Sequence, residues 1–208
     1  MAGADGLTGR FIAFEGGEGS GKSTQARLLA ETLQAVLTRE PGGTDLGERI
    51  RGVLLDPATG GLEPWAEALL MAADRAQHVA QIVRPALAAG RHVVTDRFAG
   101  SSIAYQGYGR GLPIERVRSL SEWATGGLWP DLTILLDVPV ETAVARLDRE
   151  LDRFEREGEA FHARVADGFR ALAAADPDGW VVLDGTRSVE AIAADVRAVV
   201  RDRLQLAL

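Results

Sequence analysis

The sequence predicts an α/β domain built on a five-stranded parallel β-sheet with helices on both faces. Five short apolar segments alternate with helical patterns along the chain, as is typical of a parallel sheet buried on both sides. A glycine-rich loop directly follows the first of these strands. Three strands end in an aspartate, namely Asp96, Asp137 and Asp184. Because ligands bind at the carboxyl ends of strands in such sheets, we expect these aspartates at the functional edge.

The glycine-rich loop, residues 16–23, matches the phosphate-loop pattern G-x-x-x-x-G-K-[S/T]. A predicted strand over residues 10–15 precedes it and a predicted helix over residues 23–34 follows it, which is the context that the pattern requires. Its glycines let backbone N–H groups face an anion, Lys22 can reach the outer phosphates of a nucleotide, and the Ser23 hydroxyl can hold Mg²⁺. The alternative is an ordinary glycine-rich turn. We expect the protein to bind a nucleoside triphosphate.

The remaining elements follow from hydrophobic periodicity and from the glycines and prolines that flank it. Strands are predicted over residues 35–38, 92–95, 132–136 and 180–183. Helices are predicted over residues 45–55, 63–89, 113–124, 160–174 and 189–204, and a further helix begins at residue 139. Pro85 should bend or end the longest helix.

Two junctions in this arrangement contain too few residues. No turn residues separate the first helix from the second strand at Gln34–Ala35, and the charged stretch at Arg149–Glu150 is short for a mobile flap. Our hypothesis from the sequence is that residues are missing at one or both places.

Composition restricts the class of protein. The chain has 208 residues, 46% of them hydrophobic and 25% charged, so we expect one soluble globular domain over residues 1–208. No apolar run is long enough to span a bilayer, so no membrane association is expected. The absence of cysteine agrees with a cytoplasmic protein. A net charge of −7 argues against nucleic-acid binding, and phosphorylated ligands would need locally concentrated arginines.

A phosphate loop does not by itself separate kinases from GTPases and ATPases. No Asn-Lys-x-Asp guanine-reading motif is present, and the one Asp-x-x-Gly match, at residues 176–179, precedes a strand and reads as a turn. Asp96-Arg97 is more informative, because an aspartate after an apolar strand can hold Mg²⁺ and the adjacent arginine can bind a second phosphate. The alternative for this pair is a strand-end cap with a surface salt bridge.

Longer motifs cover nearly the whole chain, at residues 14–23, 38–44, 72–77, 96–98, 101–107 and 151–155. With them the chain resembles the bacterial thymidylate kinases. The resemblance implies a P-loop kinase fold, phosphoryl transfer from ATP to dTMP with Mg²⁺, and a homodimer. Two alternatives remain open: another nucleotide or deoxynucleoside kinase, and a nucleotide-binding protein without catalysis. The Ser101–Gly107 stretch favours thymidylate, and the retained lysine and arginines favour catalysis.

The resemblance also implies site residues. The ATP site would comprise Gly16, Gly17, Glu18, Gly19, Ser20, Gly21, Lys22, Ser23 and Thr24, with Arg187 stacking on adenine. The dTMP segments are residues 38–44, 71–78 and 96–107, with Glu18, Arg39, Pro41, Met71, Arg75, Arg97, Ser101, Ser102, Tyr105 and Gln106 as ligands. Ser23 and Asp96 would hold the metal. The catalytic residues would be Lys22, Arg97, Arg153, Glu18, Asp96 and Arg149.

Individual dTMP contacts follow from the same resemblance. Arg39 and Arg97 would hold the dTMP phosphate, and Glu18 would contact the sugar 3′-hydroxyl unless it points to solvent. Arg75 and Ser102 would read the thymine edge. Tyr105 would fill the space below the sugar and disfavour a 2′-hydroxyl. The alternatives are a helix cap for Ser102 and core packing for Tyr105. Met71 stands where the family commonly has an aromatic residue, so the apolar contact is kept without ring stacking.

Residues from about 146 to 158 resemble a lid over the nucleotides. The phosphate loop lacks the basic residue that some family members place in it, and in the members that lack it lid arginines supply the charge at the transferred phosphate. Arg153 is the leading candidate and Arg149 the second; the alternative is a solvated charged helix. His78, His92 and His162 have no metal-ligand spacing, and we expect packing or surface roles for them.

Overall fold

The computed structural model describes residues 8–146 and 150–206. Its sheet contains β1 (Phe11–Glu15), β2 (Val36–Arg39), β3 (Val93–Asp96), β4 (Leu132–Asp137) and β5 (Trp180–Asp184). All pairs are parallel and the strand order is β2-β3-β1-β4-β5. The five predicted strands are confirmed, and so are the three aspartates at strand ends.

The helices that surround the sheet are α1 (Lys22–Leu33), α2 (Asp45–Leu55), α3 (Pro64–His78), α4 (Arg84–Ala88), α5 (Ala99–Ser102), α6 (Ile114–Thr125), α7 (Val140–Val144), α8 (Glu159–Ala175) and α9 (Val189–Leu204). A 3₁₀ turn covers Pro57–Thr59, and π-helical segments cover Val79–Val83 and Ile103–Gly109. No described helix is both long and apolar enough to cross a membrane.

Both faces of β1 are buried, as the sequence predicted. Ile12 and Phe14 pack with α1 and α9, whereas Phe11 and Ala13 pack with the helical segments on the opposite face. This alternation is the two-residue period of a strand. The central strand is therefore rigid, and the loop that follows it starts from a fixed point.

The long helical pattern over residues 63–89 is interrupted near Pro85, as predicted. The π-helical segment Val79–Val83 precedes α4, and Pro85 lies in the first turn of α4. Proline has no N–H to donate to the preceding turn, so the first turn of a helix tolerates it.

Residues 99–109 are helical, which the sequence analysis did not predict. Gly109 packs against α8, where an added Cβ would lie 2.7 Å from Phe161, and the Cβ of an alanine at Gly168 would lie 2.7 Å from Tyr108. Nearly all of Ser102–Gly109 is buried, so the segment lacks the polar face by which a helix is recognised.

Gln34 closes the junction between α1 and β2 by itself. Its φ is 52°, in the left-handed region, and Ala35 N donates to Ala30 O at 2.9 Å. One residue is enough for this turn in the structure, and the hypothesis of missing residues at Gln34–Ala35 stays a prediction. At Arg149–Glu150 the question falls partly outside the described residues, because Arg149 is not among them.

Candidate active site

The phosphate loop and the predicted dTMP segments line one cavity of about 370 Å³ at the carboxyl end of the sheet. The predicted residues that line it are Glu18, Gly19, Gly21, Lys22, Ser23, Thr24, Arg39, Pro41, Met71, Arg75, Asp96, Arg97, Ser101, Ser102, Tyr105 and Gln106. Its lining also includes Glu40, Phe98, Arg146, Asp152 and Phe154, which lie in the predicted dTMP or lid segments but were not named as ligands, and Arg51 and Leu55, which lie in neither.

The phosphate loop is held closely by its neighbours. Gly19 has φ of +71°, and a Cβ there would lie 2.2 Å from Ala143 O, so only glycine fits. Lys22 Nζ donates to Gly17 O at 2.6 Å and to Ser20 Oγ at 3.2 Å. Burial, and after it the charge of Arg97, lowers the pKa of Lys22 to about 8. The lysine is therefore a buried cation that phosphate oxygens would stabilise.

Ser23 and Asp96 meet at the edge of the cavity, as predicted for a metal site. The Ser23 hydroxyl donates to Asp96 Oδ2. Asp96 Oδ1 is buried and has no hydrogen-bond partner among the described residues. A buried carboxylate oxygen without a partner is unfavourable unless a cation binds it. Among the described residues, no group of three or more His, Cys, Asp or Glu side chains could hold a metal ion.

Arg97 connects the phosphate loop to the segment that follows β3. Its Nη1 donates to Gly16 O and Ser101 Oγ, each at 3.0 Å. Its Nη2 donates to Glu18 Oε1 at 2.5 Å. Burial alone would lower the pKa of Arg97, but Glu18 and the other anionic neighbours outweigh burial and raise the pKa above its usual range. Glu18 therefore does not simply point to solvent, because it neutralises a partly buried arginine.

Glu15, which the sequence analysis did not assign to the site, holds the start of α5. Its Oε1 accepts from Phe98 N at 3.0 Å and Ser101 N at 2.9 Å, and its Oε2 accepts from the Ser101 hydroxyl at 2.6 Å. Burial raises the pKa of Glu15 to about 7, against the lowering effect of the Ser101 hydrogen bond. These bonds orient Ser101 toward Arg97.

Positive charge is concentrated in the cavity despite the net charge of −7. Arg39 donates to both oxygens of Glu48, at 3.0 and 3.1 Å, and Arg51 donates to Pro41 O at 2.9 Å. Burial, followed by the charge of Arg39, lowers the pKa of Arg51. Together with Arg97, these guanidinium groups line one cavity. Arg51 belongs to no motif in the sequence, so only the packing of α2 against the loop after β2 reveals it.

Arg75 lines the cavity and is almost fully buried. Its Nε donates to Glu40 Oε2 at 2.8 Å, and its Nη2 donates to Ser102 Oγ at 3.1 Å. Its guanidinium lies 5.4 Å from the Phe98 ring centre. Arg75 and Ser102, predicted to read the same base edge, are thus in contact.

Tyr105 and Met71 form an apolar wall of the cavity. The Tyr105 hydroxyl donates to Glu18 Oε1 at 3.1 Å, and its ring packs edge-to-face on Phe154. Met71 packs against the same hydrophobic cluster. Tyr105 therefore combines core packing with a polar contact in the phosphate loop.

Gln106 Nε2 donates to Glu67 Oε1 at 2.9 Å, while Gln106 Oε1 is buried with no partner among the described residues.

The thymidylate kinase family model matches residues 14–196. The chain belongs to the thymidylate kinase family. A thymidylate kinase of Pelotomaculum thermopropionicum is 50% identical over 198 residues, covering 91% of this chain and 92% of that protein. One of Synechococcus sp. is 52% identical over 204 residues, covering 95% and 97%. The crystal structure of thymidylate kinase from Ehrlichia chaffeensis superposes with a TM-score of 0.78 at 34% identity, covering 92% of this chain and 98% of that one. The predicted P-loop kinase fold is thereby confirmed.

Arg153, the leading lid candidate, does not contact the phosphate loop. Arg153 Nη1 contacts Glu67 Oε2 at 2.7 Å and its Nε donates to Leu54 O, so its side chain lies against α2 and α3. Arg149 lies outside the described residues. Arg146, which was not singled out, lines the cavity with Nη1 3.5 Å from Gly19 O. The roles of Arg153 and Arg149 at the transferred phosphate stay predictions.

Arg187 lies in the loop after β5 and pairs with Asp195 of α9. It does not line the described cavity, so its stacking on adenine also stays a prediction. His78 is fully buried and hydrogen-bonded, in agreement with the expected packing role.

Proposed function

We propose that this protein transfers the γ-phosphoryl group of ATP to dTMP. An oxygen of the dTMP phosphate attacks the γ-phosphorus, the bond to the bridging oxygen of ADP breaks with its electron pair, and dTDP and ADP leave. The observation that carries the proposal is the shared cavity, in which a phosphate loop and a second, arginine-rich region face one space. Phosphoryl transfer depends mainly on such positioning and on charge stabilisation.

The residues that line the cavity divide into two halves, one that would hold ATP and one that would hold dTMP. Backbone N–H groups of residues 16–23 and Lys22 would hold the ATP phosphates. Arg39, Arg51 and Arg97 would hold the dTMP phosphate, while Arg75 and Ser102 would read the base. Arg97 contacts both Gly16 and Ser101, so it lies between the two halves and suits the transferred group.

Magnesium fits the donor set of Ser23 and Asp96. The hydroxyl of Ser23 and the partnerless Oδ1 of Asp96 would hold the ion, directly or through water. When bound, Mg²⁺ neutralises charge on the phosphates.

A homodimer is supported by exposed apolar side chains on α2 and α6 and on α3, which packs against both. Leu46 and Val53 on α2, Leu69 on α3 and Trp123 on α6 are exposed, and Trp123 is 84% exposed. Such residues on helices that pack side by side are typical of an interface between subunits. We expect Trp123→Glu to convert a dimer to a monomer in light scattering, whereas Val182→Glu on the edge strand β5 does not.

We place the protein in the cytoplasm.

The test is ADP formation from ATP and Mg²⁺, with dTMP, dUMP, dCMP, dGMP, AMP and thymidine offered separately. Strong turnover with dTMP, weaker turnover with dUMP and almost none with the others is expected. Turnover with a different acceptor would keep the kinase and overturn the roles of Arg75 and Ser102. ATP binding without turnover on any acceptor would contradict catalysis.

A further inference from the structure

A continuous chain of buried hydrogen bonds connects β2 with α3 behind the cavity. Thr38 Oγ1 lies 2.7 Å from His78 Nε2, and His78 Nδ1 lies 2.8 Å from Glu40 Oε1. The other carboxylate oxygen of Glu40 accepts from Arg75 Nε at 2.8 Å. A carboxylate only accepts hydrogen bonds, so Nδ1 of His78 must carry the proton. We call these four residues the Thr38–Arg75 relay.

The relay is one of several constraints on the Arg75 guanidinium. Nη1 donates to Ser121 Oγ at 3.2 Å, and Nη2 donates to Phe98 O at 3.2 Å and Ser102 Oγ at 3.1 Å. Four of its five N–H groups thus have partners among the described residues. The fifth, on Nη1, has no partner among the described residues, and Arg75 lines the cavity.

The loop after β2 lies directly on the relay. Gly43 has φ of +77°, and a Cβ there would lie 2.7 Å from Thr38 Oγ1 and 3.2 Å from His78 Cδ2. Gly42 N donates to Asp74 Oδ1 at 3.0 Å. Thr38 and His78 therefore lie beneath the loop that carries Pro41, and through Glu40 they also hold Arg75.

We propose that His78 is a positioning residue that sets the choice of base, because it holds Glu40 and thereby directs the remaining Arg75 N–H at the substrate. Thymine presents the carbonyl acceptor O4 at the edge where cytosine presents an N4–H₂ donor. A fixed N–H can donate to O4 of thymine, but it meets another donor at N4 of cytosine and makes no hydrogen bond there. A site whose polar group loses its partner discriminates strongly between substrates. This inference rests on the proposed dTMP phosphorylation.

Two variants of His78 separate the bonds of the relay. His78→Asn places an amide N–H near the position of Nδ1 and keeps the bond to Glu40. His78→Gln places its amide near the position of Nε2, so it keeps a bond to Thr38 and loses the bond to Glu40. The kcat and KM for dTMP and dCMP at saturating ATP, the KM for ATP and the thermal midpoint are measured for both variants and for wild type.

We expect His78→Gln to raise the KM for dTMP by about tenfold and to lower the dTMP-to-dCMP ratio of kcat/KM by about tenfold or more. The KM for ATP should stay within about twofold, and His78→Asn should restore the ratio to within about threefold of wild type. A histidine needed only for packing would lower the thermal midpoint and the rates with both acceptors without changing their ratio.

An unchanged ratio in folded His78→Gln overturns the inference and leaves the proposed function standing. If His78→Gln does not fold, Glu40→Gln takes its place, because it turns one of the two acceptor oxygens into an N–H₂ donor that cannot accept from His78 Nδ1 or Arg75 Nε, and its dTMP-to-dCMP ratio must then fall in the same direction. An unchanged ratio there overturns the inference equally. A wild-type protein without dTMP turnover refutes the proposed function and this inference together.

Discussion

Replacing Gly43 by alanine tests how tightly the loop after β2 is held by the hydrogen bond beneath it. The φ of Gly43 is +77°, and the new methyl group would lie 2.7 Å from Thr38 Oγ1. Thr38 and His78 are both buried, so neither side chain can move into solvent to make room. The substitution must therefore displace the loop, break the bond between Thr38 and His78, or do both.

The expected cost follows from these two effects. Left-handed backbone costs alanine about 1–2 kcal/mol relative to glycine. Loss of the buried hydrogen bond between Thr38 and His78 adds about 1–3 kcal/mol. We expect Gly43→Ala to lower the free energy of unfolding by about 2–5 kcal/mol. The KM for dTMP should also rise, because the displaced loop carries Pro41.

Urea denaturation followed by circular dichroism measures the change in stability. Gly52→Ala is the matched control, because Gly52 lies within α2 and has nothing within 4 Å of an added Cβ. Alanine there should stabilise the protein by about 0.5–1 kcal/mol. If Gly43→Ala unfolds within about 0.5 kcal/mol of wild type while Gly52→Ala behaves as expected, the reasoning about strain and contact is wrong.

Three further predictions concern the reaction. Asp96→Asn should raise the Mg²⁺ concentration for half-maximal activity by about tenfold or more, because it removes the charge of a partnerless buried oxygen. Arg153→Ala should lower kcat by orders of magnitude if Arg153 stabilises the transferred phosphoryl group. With the pKa of Lys22 at about 8, rising pH removes its charge in the free enzyme, so kcat/KM for ATP should fall above about pH 8. Bound phosphates favour the charged lysine, so the fall in kcat should come at higher pH.

Each of these has an outcome that contradicts it. Unchanged magnesium dependence in Asp96→Asn counts against a metal role for Asp96. Turnover of Arg153→Ala within about threefold of wild type rules out Arg153, and Arg146→Ala is then the variant to measure. Arg156→Ala, an exposed change in the same segment, is the control for the lid. A kcat/KM for ATP that stays constant well above the pKa of Lys22 would show that the charge of this lysine is not required.

Features that depend on neighbouring residues could be predicted from the sequence. The helix over residues 45–55 was predicted with the bounds that α2 has, and Thr44 Oγ1 caps it by accepting from Gly47 N at 2.9 Å. The helix over residues 189–204 likewise matches α9, where Ser188 is the cap. The phosphate loop belongs to the same class, because its glycines, lysine and serine act through local backbone geometry.

Features that depend on close packing could not be predicted. The helical segment over residues 99–109 has no exposed polar face. From the sequence alone its glycines predict a break in the helix, whereas in the structure they allow close packing against neighbouring helices such as α8. Gln34 gave no turn signal either, because glutamine in a left-handed conformation is uncommon.

The sequence by itself determined the fold class, the order of strands and helices along the chain, the aspartates at three strand ends, and the identity of most residues in the cavity. Only the tertiary structure decided which charges meet. Glu40 is bound to His78 and Arg75, which lie 38 and 35 residues away along the chain, and Arg153 is bound to Glu67 rather than to the phosphate loop. Local propensity and spacing carry no information about such pairs. A buried charge needs a partner wherever the fold brings one, and folding of the whole domain sets that choice.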